Sequence, residues 1–83
     1  MGGQLNKLCA AIRNNPKGVR FDDACKVARL LGYTSEKGAG SHRAFARPGD
    51  PVGLNFQETK NGQIPPYQAK QLIEALDKYE DEL

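Results

Sequence analysis

Apolar residues recur at helical spacing from the start of the chain. Leu5, Leu8, Cys9 and Ile12 stand at i, i+3, i+4 and i+7, which predicts a helix over about residues 4–14 with one buried stripe. Pro16 and Gly18 end it. A second helical run, "DACKVARLL", follows Asp22, a residue suited to the N-cap, and stops where Gly32 can take a left-handed C-terminal position. Its expected buried positions are Ala24, Cys25, Ala28 and Leu31, with Val27 and Leu30 alongside.

From Tyr33 the period changes. "YTSEK", "HRAFAR" and "VGLNFQ" read as three strands, divided by the "GAG" loop and the "PGDP" turn, and Val52, Leu54 and Phe56 alternate onto one face of the third. The middle strand leaves its parity open: Phe45 shares a face with Arg43 and Arg47, and His42 shares one with Ala44 and Ala46. Asn61-Gly62 suits a tight turn, while Pro65 and Pro66 exclude an ordinary strand and favour a helix start. In "PYQAKQLIEALDKY" the residues Ala69, Leu72, Ile73, Leu76 and Tyr79 form a stripe that should cover one face of the sheet. The order is α-α-β-β-β-α, an α+β domain over residues 1–83 with no repeat, low-complexity tract or linker.

At 83 residues the chain is one small domain that buries only about 60% of its unfolded surface, so function belongs on the surface or in a shallow groove. Its longest apolar run falls far short of the roughly 18 residues of a membrane span. The opening "MGGQLNKLCA" lacks an apolar segment with a cleavage site, and Asn6 stands where a myristoylation signal wants Ser or Thr, so the expected compartment is the cytoplasm. Cys9 and Cys25 form no Cys-x-x-Cys pair and are not at zinc-ligand spacing from His42; the expectation is two reduced thiols packed as small apolar residues, with no metal and no cofactor.

The net charge of +2 conceals an asymmetry. Residues 1–70 hold 11 Lys and Arg against 5 Asp and Glu, a net of +6, while residues 71–83 hold 1 against 5, a net of −4. A cationic body favours a polyanion such as nucleic acid, because phosphate contacts release counterions; many such surfaces are merely solvated.

The one histidine, His42, lies in "KGAGSHRAFARPGD", at the start of a predicted strand and beside a glycine loop. Near pH 7 an imidazole can give or take a proton, which suits general acid–base chemistry. Gly38 and Gly40 allow a backbone to approach, their N–H groups and the Ser41 hydroxyl can donate to a phosphate, and Lys37, Arg43 and Arg47 can neutralise it. The plainer alternative is a histidine bonded to a neighbouring carbonyl beside an ordinary turn. Glu36 and Asp50 do not make the carboxylate cluster of a two-metal nuclease. Ser41 adjoins His42, and neighbours in a strand face opposite ways, which argues against a serine nucleophile with that base.

The segments "GAGSHRAF" and "VGLNFQETKNGQIPPYQAKQLIEAL", in this order and spacing, resemble the HicA family of bacterial type II toxin–antitoxin systems. The resemblance runs from the second helix to the last one, leaving the helix at 4–14 as an N-terminal addition. It implies a double-stranded-RNA-binding-domain-like fold, with three antiparallel strands packed on helices. It also implies an mRNA-cleaving activity that a HicB-like antitoxin inhibits, with mRNA and not DNA as the substrate of the toxin alone. The family's catalytic histidine corresponds to His42, and its preceding glycine and serine to Gly40 and Ser41. Arg43 stands where many relatives carry another histidine or an apolar residue, and Tyr67-Gln68 is expected to be structural. Two further readings are compatible with the sequence: a non-catalytic RNA-binding module of the same fold, and a protein-interaction domain whose partner is the antitoxin.

Overall fold

The computed structural model of the chain describes residues 3–82, with side chains throughout except at 3–5 and 36–39. Its elements are α1 (Gly3–Asn14), a 3-10 turn (Pro16–Gly18), α2 (Phe21–Leu30), β1 (Thr34–Ala39), β2 (His42–Ala46), β3 (Leu54–Gln57), α3 (Pro66–Tyr79) and a closing 3-10 turn (Glu80–Glu82). The protein is therefore α+β in the order α-α-β-β-β-α.

In α1, Cys9 and Ile12 are buried and Leu8 is partly so; the side chain of Leu5 lies outside the described residues. Helix α2 starts at Phe21 with Arg20 as its N-cap, two residues ahead of the start that Asp22 as a cap would set. The reason is tertiary. Phe21 buries its ring and donates its N–H to the Gly62 carbonyl at 2.9 Å, so a first-turn amide that would otherwise need a side-chain cap is satisfied by a distant loop. Asp22 and Asp23 then sit in the first turn, where carboxylates oppose the positive end of the helix dipole.

At the other end of α2 the Gly32 N–H donates to Arg29 and the Tyr33 N–H to Ala28, the paired bonds of a Schellman cap, with Gly32 at a φ of +93°. Leu31 is buried, whereas Leu30 is 44% exposed and takes no part in the core.

The strands form one antiparallel sheet in the order β1-β2-β3. Ala39 pairs with His42, so only Gly40 and Ser41 connect β1 to β2. Gly40 has a φ of +60° and Ser41 does not share it, the pattern of a two-residue II′ hairpin. The expected glycine loop is therefore mostly strand: β1 continues through Gly38, in register with Arg43. A bulge between Ser35 and Lys37 breaks the regular register.

Pairing of Phe45 with Leu54 and of Arg43 with Phe56 settles the parity of β2. Phe45, Leu54 and Phe56 are buried under α2 and α3, with the Phe45 and Phe56 rings 5.8 Å apart. His42, Ala44 and Ala46 consequently belong to the opposite face, together with Asn55 and Gln57. Val52 does not join β3. It is 58% exposed, and its N–H donates to the Asp50 carboxylate at 2.9 Å in an Asx turn. Gly53 follows, where an added Cβ would stand 2.8 Å from the Phe45 carbonyl oxygen; only glycine lets the chain enter β3 this close to β2.

Helix α3 presents Ala69, Leu72, Ala75 and Leu76 to the core, with Ile73 and Tyr79 partly buried. Helix α1 packs on α2 and α3, behind the sheet. The expected reduced cysteines fit this layer: Cys9 and Cys25 are both buried in the core as free thiols. Among the described residues no helix is long and apolar enough to cross a membrane.

Candidate functional site

His42 is exposed at the first position of β2, on the sheet face that the helices leave uncovered. Around it that face carries Ala44 and Ala46 along β2 and the exposed side chains of Asn55 and Gln57 on β3. His42 lies directly across from Gln57. Among the described residues these neighbours carry no charge, and the helices do not cover the face, so a ligand can approach the imidazole from above the sheet.

The surrounding loops meet at the same end. Beyond the His42–Gln57 pair, the Glu58 N–H donates to the Ser41 carbonyl at 2.7 Å, which carries the next segment past the hairpin turn. That segment closes a short loop, in which Thr59 N–H donates to the Gln63 carbonyl and Gly62 N–H to the Thr59 carbonyl. Lys60 and Asn61 are exposed at its tip. Ile64 N–H then returns to the Val19 carbonyl and Phe21 N–H reaches Gly62, so the start of α2 is tied to the same loop.

The start of α3 is tied there by a side chain. Gln68, only 4% exposed, accepts the Gln57 N–H through Oε1 at 2.8 Å and donates from Nε2 to the Tyr67 hydroxyl at 3.3 Å. It thereby satisfies an amide on the open edge of β3. Both helices that back the sheet thus direct their N-termini, the positive ends of their dipoles, toward the end that holds His42.

Negative charge collects at the opposite end. Arg13 pairs with Asp77 at 2.7 Å and with Glu80 at 2.6 Å, Arg47 pairs with Glu82 at 3.0 Å, and Lys78 approaches Asp50 at 3.5 Å. The acidic C-terminal segment is thereby held against cations far along the strands from His42.

The residues singled out in the sequence separate into groups. Gly40 and Ser41 form the turn that precedes His42, and both are exposed. Gly38 lies in the β1 ladder instead of a loop. Lys37 is in register with Ala44, on β1; its side chain lies outside the described residues. Arg43 is on the helix-side face, opposite to His42, with its Nε buried and without a hydrogen-bond partner. Its charge acts on the Cys25 thiol: burial pushes that thiol up, and Arg43 and Arg29 offset part of the rise. Arg47 is at the far end of β2. Its Nε donates to the Leu31 carbonyl at 2.9 Å, and its guanidinium carbon lies 3.6 Å from the centre of the Tyr79 ring.

Sequence pattern alone did not single out Lys60, Asn61 or Gln57, because the strand register is what brings them to the His42 end. Among the described residues, no group of three or more His, Cys, Asp and Glu side chains is arranged to hold a metal ion.

Helices on one side of an open three-stranded antiparallel sheet, with an exposed imidazole on the other side, make this a small α+β domain. Compared with protein-family models, curated proteins and solved structures, the chain finds no match.

Proposed function

We propose that the chain is an RNA-cleaving toxin of the HicA type, with a double-stranded-RNA-binding-domain-like fold and His42 as its general acid–base group. The observation that carries this reading is the exposure of His42 on an uncovered sheet face, at the end toward which α2 and α3 direct their N-termini and away from the acidic C-terminal segment. The order α2-β1-β2-β3-α3, with both helices on one face, supports the RNA-binding-domain comparison.

In this mechanism His42 accepts the proton of a ribose 2′-hydroxyl. The oxygen attacks the adjacent phosphorus, the bond from phosphorus to the 5′-oxygen breaks, and a cyclic 2′,3′-phosphate and a 5′-hydroxyl result. The leaving oxygen takes its proton from water or from Lys37. Only RNA carries the attacking hydroxyl. General acid–base help from one residue contributes about 10² to 10⁴ in rate, so the enzyme is slow, which growth arrest tolerates. The α3 N-terminus favours the phosphate, as do Lys37 and Lys60, whereas Asp22 and Asp23 offset the positive end of α2. Arg43 and Arg47, on the helix side of the sheet, act on the phosphate only at long range. The partners are mRNA in the cytoplasm and a HicB-like antitoxin that covers the open face.

A specific observation favours a second reading, an RNA-binding module without catalysis. Among the described side chains of the open face His42 alone can transfer a proton, since Ala44, Ala46, Asn55 and Gln57 cannot. One experiment separates the two. Cleavage of a single-stranded RNA in EDTA by the wild type, abolished in His42→Ala, is the expected result. Undiminished cleavage by the variant removes His42 from the chemistry, and binding without cleavage by the wild type selects the module.

A further inference from the structure

Three large apolar side chains stand exposed among the described residues: Leu30, Val52 and Tyr67. Tyr67 is the one at the His42 end. It is 62% exposed in the first turn of α3, so its ring contributes little to the core, against the expectation that the Tyr67-Gln68 pair is structural. Gln68 does have a structural place, since its buried carboxamide closes the edge of β3. The same carboxamide holds the Tyr67 hydroxyl, and through Gln57 it connects the ring to the strand position facing His42. His42 and Tyr67 are thus linked through Gln57 and Gln68 around the open edge of β3.

We infer that Tyr67 is a stacking platform for an unpaired nucleobase, next to the nucleotide whose sugar lies at His42. This inference rests on the RNA-directed reading above and adds a residue that binds the base and not the phosphate. An exposed aromatic ring with a hydrogen-bonded hydroxyl offers a π face to any base, and its orientation is set before the ligand arrives. Stacking of this kind tolerates any sequence, because every base has such a face. It also requires a single strand, because paired bases are already stacked.

The test uses the full chain carrying His42→Ala to prevent turnover, with Tyr67 intact or replaced. The probe is a 12-nucleotide single-stranded RNA with 2-aminopurine placed at successive positions. With Tyr67 intact, binding quenches the fluorescence at one position. Tyr67→Phe keeps the quench and binds at most about 2-fold to 3-fold more weakly, since only the orienting hydroxyl bond is lost. Tyr67→Ala loses the quench and binds about 5-fold to 100-fold more weakly, with an unchanged salt slope because no charge is removed. Tyr67→Leu, which keeps apolar bulk, behaves like Tyr67→Ala and guards against a folding defect.

Equal affinity for Tyr67 and Tyr67→Ala overturns the inference while leaving the RNA-directed reading in place. A Tyr67→Phe variant as weak as Tyr67→Ala also overturns it, by assigning the effect to the hydroxyl and Gln68. Failure of the wild type itself to bind the probe removes the RNA-directed reading first, and the inference with it.

Discussion

The Arg47 guanidinium lies over the ring of Tyr79, 3.6 Å from its centre, and donates through Nε to the carbonyl of Leu31. This arrangement places a cation where α2 ends and beside the last turn of α3, the two positions at which helix dipoles favour positive charge. Glu82 closes the group from the C-terminal side.

Replacing Arg47 with alanine should therefore lower stability by about 2 kcal/mol, from the lost charged hydrogen bond and the lost cation–π contact. Arg47→Lys restores only part of this, because an ammonium cannot stack as a plane. Urea denaturation with an unchanged slope is the measurement. RNA binding by Arg47→Ala should keep the wild-type salt dependence, since this side chain is committed to the far end of the domain; a reduced salt slope would place Arg47 on the phosphate after all.

Asp50 sits in the same cluster with its side chain only 4% exposed. The Tyr79 hydroxyl donates to its carboxylate, the Val52 N–H donates to it as well, and Lys78 is close by. These contacts hold its pKa below the usual carboxylate value, the Tyr79 bond being the largest cause. A depressed pKa in the folded state contributes stability above the unfolded value, about 3.9, and that contribution disappears as the pH falls through the folded value. Asp50→Asn should thus be less stable than the wild type at pH 7, and the two should converge as the pH falls well below 4. Denaturant midpoints measured across this range test it, and a constant difference would remove the linkage.

Cys9 and Cys25 should both resist alkylation in the folded protein at pH 8. Burial raises each thiol, with Glu80 adding to the rise at Cys9, so little thiolate is present and little of it is reachable. Labelling should follow global unfolding, and both residues should be modified at one rate on titration with urea. Prompt modification of Cys9 alone would show instead that α1 opens as a separate unit.

The periodicity of Leu8, Cys9 and Ile12, of Ala24 to Leu31, and of Ala69 to Leu76 was sufficient to locate the helices, because each must bury a stripe at the same spacing wherever it packs. Alternation likewise identified Leu54 and Phe56 as one face. Local rules failed where a distant group replaced a local one. Asp22 was the natural cap, yet Gly62 satisfied the Phe21 amide and moved the start of α2. Val52 matched the alternation, yet Asp50 captured its amide and left it outside the strand.

The site divides along the same line. That His42 is the single imidazole and follows a glycine and a serine is a property of the linear chain. Its face was open in the sequence, because "HRAFAR" is compatible with burial of either side; pairing of Phe45 with Leu54 decided the matter, since a buried aromatic on one side forces the alternate residues to the other.

Residue types and their periods were thus enough for three helices, three strands, their order and the place of the histidine, because those depend on neighbours a few positions apart. Which face His42 occupies, that Arg47 is enclosed by Leu31, Tyr79 and Glu82, and that Tyr67 stands at the same end as the imidazole were decided only on folding. The physical reason is that strand register and helix docking join groups dozens of residues apart, and the free energy that selects among such pairings comes from burying the shared core.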